Sequence, residues 1–552
     1  MAWYDEAIFY HIYPLGLSGA PKQNSYGEPE HRLNELIPWI THIKSIGCNA
    51  LYIGPLFESV GHGYETTDYR KLDSRLGTNE DLKNFVSECH NQGIKVILDG
   101  VFNHTGRDFF AFKDLKANRE NSRYKDWYCN VNFWNNNEYN DGFSYDNWGG
   151  YNLLVKLNQK NPEVKDYICD TIRFWVKEFD IDGIRLDAAD VLDFDFMKAL
   201  RGVANEVKQD FWLMGEVIHG DYNRWVNEGT LHSVTNYQLH KGLYSGLNDH
   251  NFFEIAHTVK RLYGMGGNQP NKFKLYNFVD NHDVERIHTK LNNKAHFAPV
   301  HILMYTLPGI PSIYYGSEFG IDGRKERFSD DSLRPALNIE DYKNALTENP
   351  CTKLVAALGK VRQNTPSLSY GDYNELFLTT RQYAYSRSIQ SETVIVTLNN
   401  DDNDFTMTIP SMNNNEYVGA LSGEKITANN GQLTINVKSN YGDIWLPVAN
   451  GRTEYEPVAF EIKTEKHLEL QAEFKAEQQA AVENNNENEA PASISIESVD
   501  MSKPYEEMTV AELQAVILAK MAKNGPVTDQ MRRDVEENIY QNSLVNWAKS
   551  FR

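Results

Sequence analysis

Short apolar, β-prone runs alternate with longer stretches of helical period through about the first 330 residues. The runs are 7–14 (AIFYHIYP), 49–57 (NALYIGPLF), 95–104 (KVILDGVFNH), 182–191 (DGIRLDAADV), 211–217 (FWLMGEV), 232–237 (HSVTNY), 274–283 (KLYNFVDNHD) and 311–318 (PSIYYGSE). Between them, apolar spacing predicts helices over 33–46, 80–92, 162–179, 194–208, 253–263 and 295–306. Eight such runs with helices between them predict an α/β chain, a parallel (β/α)8 TIM barrel over 1–350 rather than an open doubly wound sheet.

The regular alternation is interrupted after the third run. Residues 105–158 are dense in Asn, Tyr, Trp and Phe, carry no helical period, and read as an irregular inserted domain lying over the barrel mouth. From 351 to 450 the pattern changes to short alternating strands divided by Asn, Asp and Gly, which predicts an antiparallel β-sandwich. Residues 451–502, rich in Glu, Gln, Asn and Ala, hold too few apolar side chains to offset ordering entropy and read as an acidic linker. A helical hairpin follows over 503–552. Its first helix, 509–523, is opened by a Thr509–Glu512 capping box and closed by Asn524-Gly525-Pro526; its second covers 528–549. Residues 451–552 carry 19 acidic and 11 basic side chains. This appendage is either a solvated tail or a surface for a protein partner or a second copy of the chain.

Charge and composition narrow the ligand. A net charge of −21 over 552 residues, with no basic cluster, excludes nucleic-acid and acidic-membrane binding. The 12% of aromatic residues exceeds ordinary packing needs, and acidic and aromatic groups together fit a neutral polar ligand. Five scattered cysteines, without a CxxC pair, indicate reduced thiols rather than a disulfide frame or a zinc site. The N-terminus has no signal-peptide pattern and no run is long and apolar enough to span a membrane, so the expected location is the cytoplasm.

Ionisable residues close the apolar runs: Asp99, Asn103 and His104 the third, Arg185 and Asp187 the fourth, Glu216 the fifth, His282 and Asp283 the seventh. In a parallel barrel these positions converge on the C-terminal face, where reactive groups collect. A lone strand-end acid is usually a cap or an ion-pair partner. Four acids, an arginine and two histidines on one face are different, because crowded like charges cost energy. Without a phosphate loop, thiolate site or dinucleotide fingerprint, paired carboxylates point to acid/base chemistry on a neutral substrate, as in glycoside hydrolysis. Sugar C–H faces stack on aromatic rings while their hydroxyls bond Asp, Asn, His and Arg.

Over about 7–449 the chain resembles glycoside hydrolase family 13, the α-amylase family. DGVFNH (99–104), GIRLDAADV (183–191), GEV (215–217) and FVDNHD (278–283) resemble its four defining motifs in order, and LVKLN (154–158), GCNALYIGPLF (47–57), HGYETTDY (62–69) and LPGIPSIYYGSEFG (307–320) match further signatures. The resemblance implies an α-retaining hydrolase with Asp187 as nucleophile, Glu216 as general acid/base and Asp283 stabilising the distorted sugar. It implies that Arg185 keeps Asp187 ionised and that Asp99, His62, Tyr64, His104 and His282 surround the cleaved sugar, Tyr64 as its stacking platform. Asp330 and Arg334 resemble the pair closing the glycone end of the cleft, with the adjacent Asp331 able to take Asp330's part.

The departures from the family are informative. Endo-acting members carry Lys-His after the nucleophile, whose histidine supplies a backbone ligand to structural calcium; here Asp190 and Val191 stand there. No cofactor is therefore required, although Asn103, the usual first calcium ligand, remains. LVKLN, GEVIH and the compact insertion are nearest the neopullulanase, cyclomaltodextrinase and maltogenic amylase branch, without its added N-terminal domain or its glutamate at the position of Val191. The implied reaction is hydrolysis of α-1,4 bonds in maltooligosaccharides, with cyclodextrins and some α-1,6 bonds as further substrates. A glucanotransferase or an endo-acting α-amylase on the same site is the alternative. A non-catalytic glucan-binding scaffold would call for a damaged triad, and all three acids are intact.

Overall fold

The computed structural model describes residues 2–268, 273–327, 329–412, 414–451, 454–460, 500, 503–505 and 508–524, together with Arg532, Val535, Leu544 and Ala548. Its central strands form where short apolar runs are buried on both faces, the mark of parallel strands covered by helices. They are Phe9–Ile12, Ala50–Ile53, Lys95–Gly100, Gly183–Leu186, Trp212–Gly215, Ser233–Val234, Tyr276–Phe278 and Ile310–Tyr314. Counted along the chain, they lie side by side in the order 6-5-4-3-2-1-8-7, all parallel. A bridge between Thr235 and Tyr276, with Asn236 N donating to Tyr276 O at 2.9 Å, joins the sixth to the seventh and closes the barrel.

Rings fill the barrel interior. Phe9 stacks on Trp212 at 5.2 Å and meets Tyr276 edge-on at 5.5 Å. One layer nearer the C-terminal face, His11 stacks on Tyr52 at 4.1 Å. The site is therefore built on an aromatic plug rather than over a pore.

The outer helices carry side-chain caps, each worth about 1 kcal/mol. Thr78 and Asp81 form a capping box on Asn79–Asn91, Asn161 caps Pro162–Phe179 and Asp193 caps Phe194–Val207. The helix expected over 33–46 is two pieces, Arg32–Glu35 and Ile37–Ser45, because Pro38 in the first turn of the second cannot continue a preceding helix. Tyr237–Asn248 is a further helix, in addition to the expected ones.

The insertion is more ordered than its composition suggests. Phe110–Asn118 is a helix, and His104–Thr105, Tyr151–Lys156 and Asn147–Trp148 form a three-stranded antiparallel sheet. The cause is a local aromatic core: Phe112, Trp127, Tyr128, Phe143 and Tyr145 are buried, and Phe112 meets Tyr128 and Tyr145 edge-on. Arg107 grips Asp141 with both terminal nitrogens, at 2.7 and 2.8 Å. Much of the aromatic surplus therefore serves packing. Trp134, 97% exposed, and Phe110, Tyr139, Trp148 and Tyr151 are among the insertion's outward rings.

Helix Pro350–Gln363, placed by the sequence pattern in the second domain, packs on barrel helix Phe297–Thr306. The antiparallel strands begin at Asp372 and run to Pro447, a six-stranded sheet facing a two-stranded one over Ile395, Met407, Ile435 and Trp445. Two buried arginines close the end of helix Phe297–Thr306, and Arg387, on strand Gln382–Ile389, joins the sandwich to it. Arg362 donates to Tyr305 O and Gly309 O, and Arg387 to Thr306 O, so both satisfy carbonyls that the end of the helix leaves open.

The C-terminal unit begins at Lys463. The expected linker lies outside the described residues apart from its first few residues and Asp500. Helix Val510–Asn524 carries the Thr509–Glu512 box, with Glu512 N on Thr509 Oγ1 at 3.3 Å and Thr509 N on Glu512 Oε2 at 2.6 Å. Of the second expected helix only Arg532, Val535, Leu544 and Ala548 are described; all four are helical, and the last three share an apolar cluster with Met508, Leu513, Val516 and Ile517. Among the described residues no helix is long and apolar enough to cross a membrane.

Candidate active site

Strand register assembles the site. Asp99 stands opposite Arg185 on neighbouring strands, and the ladder continues past the strand ends through Asp187 N to Gly100 O at 3.0 Å and Glu216 N to Leu186 O at 2.9 Å. Arg185 is the centre. Its Nη1 donates to Asp99 Oδ1 and Asp187 Oδ1, both at 2.8 Å, and its Nη2 lies 2.9 Å from Glu216 Oε2. Ala188, in the left-handed conformation at φ 45°, turns its N–H onto the same Glu216 oxygen at 3.0 Å. Asp187 and Glu216 are thus each tied through one oxygen. Among the described residues no hydrogen bond engages Asp187 Oδ2 or Glu216 Oε1, and the two side chains keep 12% and 14% of their exposure.

Asp283 reaches the cluster from the seventh strand. Arg334 Nη2 donates to its Oδ1 at 2.9 Å, and His282 Nε2 is 3.1 Å from its Oδ2. Tyr64 Oη lies 2.5 Å from His282 Nε2 and 3.1 Å from Asp99 Oδ2, to which Tyr52 Oη also donates at 2.8 Å. A neutral His282 with its proton on Nε2 satisfies this chain: imidazole to Tyr64, Tyr64 to Asp99. Gly54 is required beneath it, because a Cβ there would come within 2.4 Å of Asp99 Cβ.

Burial dominates the electrostatics. It raises Asp187 well above the usual carboxylate range; Arg185 opposes and Glu216 adds to the rise. Glu216 is raised likewise, by burial first, against Arg185 and with help from Asp283. Asp283 departs the other way: burial raises it, but the cations Arg334, Arg185 and Lys325 and the N–H that His282 turns to it overcome that and hold it at about 2. Burial lowers His282 to about 3, keeping it neutral. Arg185 does favour the ionised form of Asp187, as expected of an adjacent cation, but its one guanidinium is divided among three carboxyls in a buried site. Asp187 and Glu216 titrate as a pair that retains a proton beyond the ordinary carboxylate range. One free anionic oxygen and one held proton are what displacement at a sugar's anomeric carbon requires.

Residues 23–367 match the alpha amylase catalytic domain, and residues 371–445 match the alpha-amylase C-terminal domain. The chain belongs to the α-amylase family. It is accordingly an enzyme, a glycoside hydrolase. It is similar to the cyclomaltodextrinase of Thermoanaerobacter pseudethanolicus (32% identity, 72% of this chain and 71% of that protein) and to neopullulanase 2 of Thermoactinomyces vulgaris (31%, 82% and 78%). A solved cyclomaltodextrinase superposes with a TM-score of 0.70 at 26% identity, over 80% of this chain and 78% of that one.

Within this α-amylase-family site the sequence-derived residues occupy different depths. Asp187, Glu216, Asp283 and Tyr64 keep exposed surface, whereas His282 is buried behind Tyr64 and Asp283. Asp99 and Arg185 lie beneath them, both buried, with their polar atoms bonded to protein groups. His104 is also engaged, Nε2 on Tyr64 O at 3.1 Å and Nδ1 accepting from Asn103 Nδ2 at 3.2 Å. His62 is half-exposed on a loop held by Glu65, 3.3 Å from its Nε2. Asp330 Oδ2 pairs with Arg334 at 3.0 Å while Asp331 turns outward to Lys22, so Asp330 is the partner in the cleft.

Asn103 is engaged within the protein. Its Oδ1 accepts from Gln159 Nε2 at 3.3 Å and its Nδ2 faces His104, whereas calcium takes roughly six to eight oxygens. Among the described residues no group of three or more His, Cys, Asp or Glu is placed to hold a metal ion.

Sequence reasoning missed Tyr52, Ala188, Lys325 and Tyr237. Tyr52 shares the inward parity of Ala50 and was recoverable from strand alternation. Tyr237, whose Oη accepts from Asn281 Nδ2 at 3.2 Å, closes the sixth apolar run but opens helix Tyr237–Asn248, and Lys325, which donates to Asp283 O at 2.9 Å, lies in a segment without a strand signal.

Proposed function

We propose that the enzyme hydrolyses α-1,4-glucosidic bonds of maltooligosaccharides with retention of configuration. Asp187 Oδ2 attacks the anomeric carbon as Glu216 Oε1 protonates the departing oxygen, giving a β-glycosyl ester on Asp187. Glu216 then takes a proton from water, which displaces the ester. Asp283, fixed by Arg334 and His282, accepts hydroxyls of the distorted sugar, and Tyr64 supplies its ring as a platform. The carrying observation is that Asp187 and Glu216 each give one oxygen to Arg185 and leave the other free in the cleft. Relatives named for cyclomaltodextrin and pullulan support an α-glucan substrate. The five free cysteines suit a reducing compartment, and we place the enzyme in the cytoplasm.

Maltoheptaose turnover followed by proton NMR tests this reading. The first product released should carry the α-anomer, and Asp187→Asn and Glu216→Gln should each lose at least about a thousandfold in kcat. A β-anomeric first product, or either variant retaining about a tenth of the activity, contradicts the assigned roles.

A further inference from the structure

The strand order has a geometric consequence for the cleft. Around a closed eight-stranded barrel running 6-5-4-3-2-1-8-7, the fourth strand faces the eighth and the fifth faces the first. Asp187 and Glu216 follow the fourth and fifth strands. On the function proposed above, which this inference extends, the leaving sugar departs on the Glu216 side. The retained, non-reducing part of the glucan therefore runs toward the loops after the first and eighth strands.

Those two loops are joined. Lys22, in the loop after the first strand, pairs through Nζ with Asp331 Oδ2 in the loop after the eighth. The backbone at Lys22 is held from below: buried Arg75, clamped by Asp73, donates through Nη1 to Pro21 O at 2.9 Å, Lys22 O at 3.3 Å and Gly61 O at 2.6 Å. On the opposite side Lys325 Nζ reaches Asp330 Oδ1 at 3.1 Å, and Arg334 Nη2 ties Asp330 to Asp283. Arg334 itself lies over the Tyr13 ring at 4.7 Å. A connected line of charges thus runs from the exposed rim, through the adjacent Asp331 and Asp330, to the carboxylate that grips the sugar.

We propose that the Lys22–Asp331 pair is a latch closing the glycone end of the cleft. It makes the enzyme cut at a set short distance from the non-reducing end of linear chains and disfavours cyclic glucans, which have no end to seat. The latch is weak by design of its surroundings: Lys22 and Asp331 are 76% and 60% exposed, and such pairs are worth little and are screened by salt. A longer or cyclic chain can displace it, so it biases the cut position and does not forbid others.

Early-time digestion of maltoheptaose labelled with a fluorophore at the reducing end, resolved by chromatography, tests the latch. The wild type should give one dominant labelled fragment, shortened by one fixed length. Lys22→Ala and Asp331→Ala should each raise the share of other fragments, and the rate on β-cyclodextrin relative to maltoheptaose, by about two- to fivefold. The charge-swapped pair Lys22→Asp with Asp331→Lys should restore the wild-type pattern. Molar salt should move the wild type toward Lys22→Ala while leaving that variant unchanged. Identical fragment patterns in wild type, Lys22→Ala and Asp331→Ala overturn the latch, as do internal cuts by the wild type from the outset. Turnover of p-nitrophenyl α-maltoside separates the two readings: if it persists while the patterns coincide, only the latch fails, and if neither substrate is cleaved by any form, the proposed function fails with it.

Discussion

Arg185 Nη1 lies 2.8 Å from Asp187 Oδ1, and the arginine side chain is only 3% exposed. Asp99 and Glu216 share the same guanidinium, so its removal leaves three acids without their cation. Breaking a buried pair from one side costs about 3–5 kcal/mol. Lysine keeps the charge but is a point donor that cannot span three carboxyls. Arg185→Lys should lower kcat by about a hundredfold or more and lower Tm, with little change in KM because Arg185 reaches no substrate atom. Steady-state kinetics on maltoheptaose with a thermal melt checks this. A variant that loses affinity and keeps kcat would place Arg185 in binding instead.

The rate needs Asp187 ionised and Glu216 protonated, and burial raises both. The acidic and alkaline limbs of the pH profile therefore belong to this pair, both displaced upward from ordinary carboxylates. Asp283, at about 2, and His282, at about 3, titrate below that window. Glu216→Gln should abolish the alkaline limb in the residual activity. His282→Asn should lower kcat while leaving both limbs of kcat/KM in place; a limb that moves in His282→Asn assigns it to the histidine.

Stability should respond to acid at a higher pH than activity chemistry alone suggests. Burial holds His104, His232 and His282 at about 3 and His240, His296 and His301 at about 4. An unfolded imidazole titrates at about 6.5. As pH falls below that value the unfolded chain binds these protons and the native chain does not, so stability is progressively lost from about pH 6.5 toward 4. Denaturant melts across this range should show unfolding taking up several protons. A flat stability from about pH 7 to 4.5 would contradict the buried, neutral state of these rings.

The barrel was legible because its strands are apolar runs buried on both faces, and the convergence of the candidate acids because they follow those runs. Asp187 comes directly after Leu186 and Glu216 directly after Gly215, where the ladder gives way to loop. Depth was not legible. Asp99 and His104 sit in a strand-end motif beside the cleft, yet their polar atoms are taken by Arg185, Tyr52, Tyr64 and Asn103, all from other positions in space. The helix Phe110–Asn118 was hidden for a related reason: its stabilising partners, Tyr128, Phe143 and Tyr145, come from later in the insertion. The outward turn of Asp331 likewise depends on Lys22, 309 residues away.

Chelation should leave the protein unchanged. Asn103 is held by Gln159 and His104, and Gln159 Oε1 in turn accepts from Asp193 N at 2.6 Å, so the amides are satisfied within the protein. Tm measured with excess EDTA should equal that measured with calcium. A chelator-dependent fall in Tm, reversed by calcium, would mean that this region rearranges around an ion.

Ala188 couples backbone strain to the acid/base group. Its left-handed φ of 45° costs an L-residue about 1–2 kcal/mol, and the N–H it turns inward donates to Glu216 Oε2. Glycine adopts that conformation freely but loses more freedom on folding. Ala188→Gly should therefore leave stability unchanged or raise it by up to about 1 kcal/mol, with kcat preserved because the donor stays in place. Ala188→Val puts a β-branched side chain into the same left-handed position at a buried site, so it should lower both Tm and kcat. Thermal melts paired with maltoheptaose kinetics decide it: equal losses of kcat in the two variants would show that the methyl group, not the turned N–H, is what Glu216 needs.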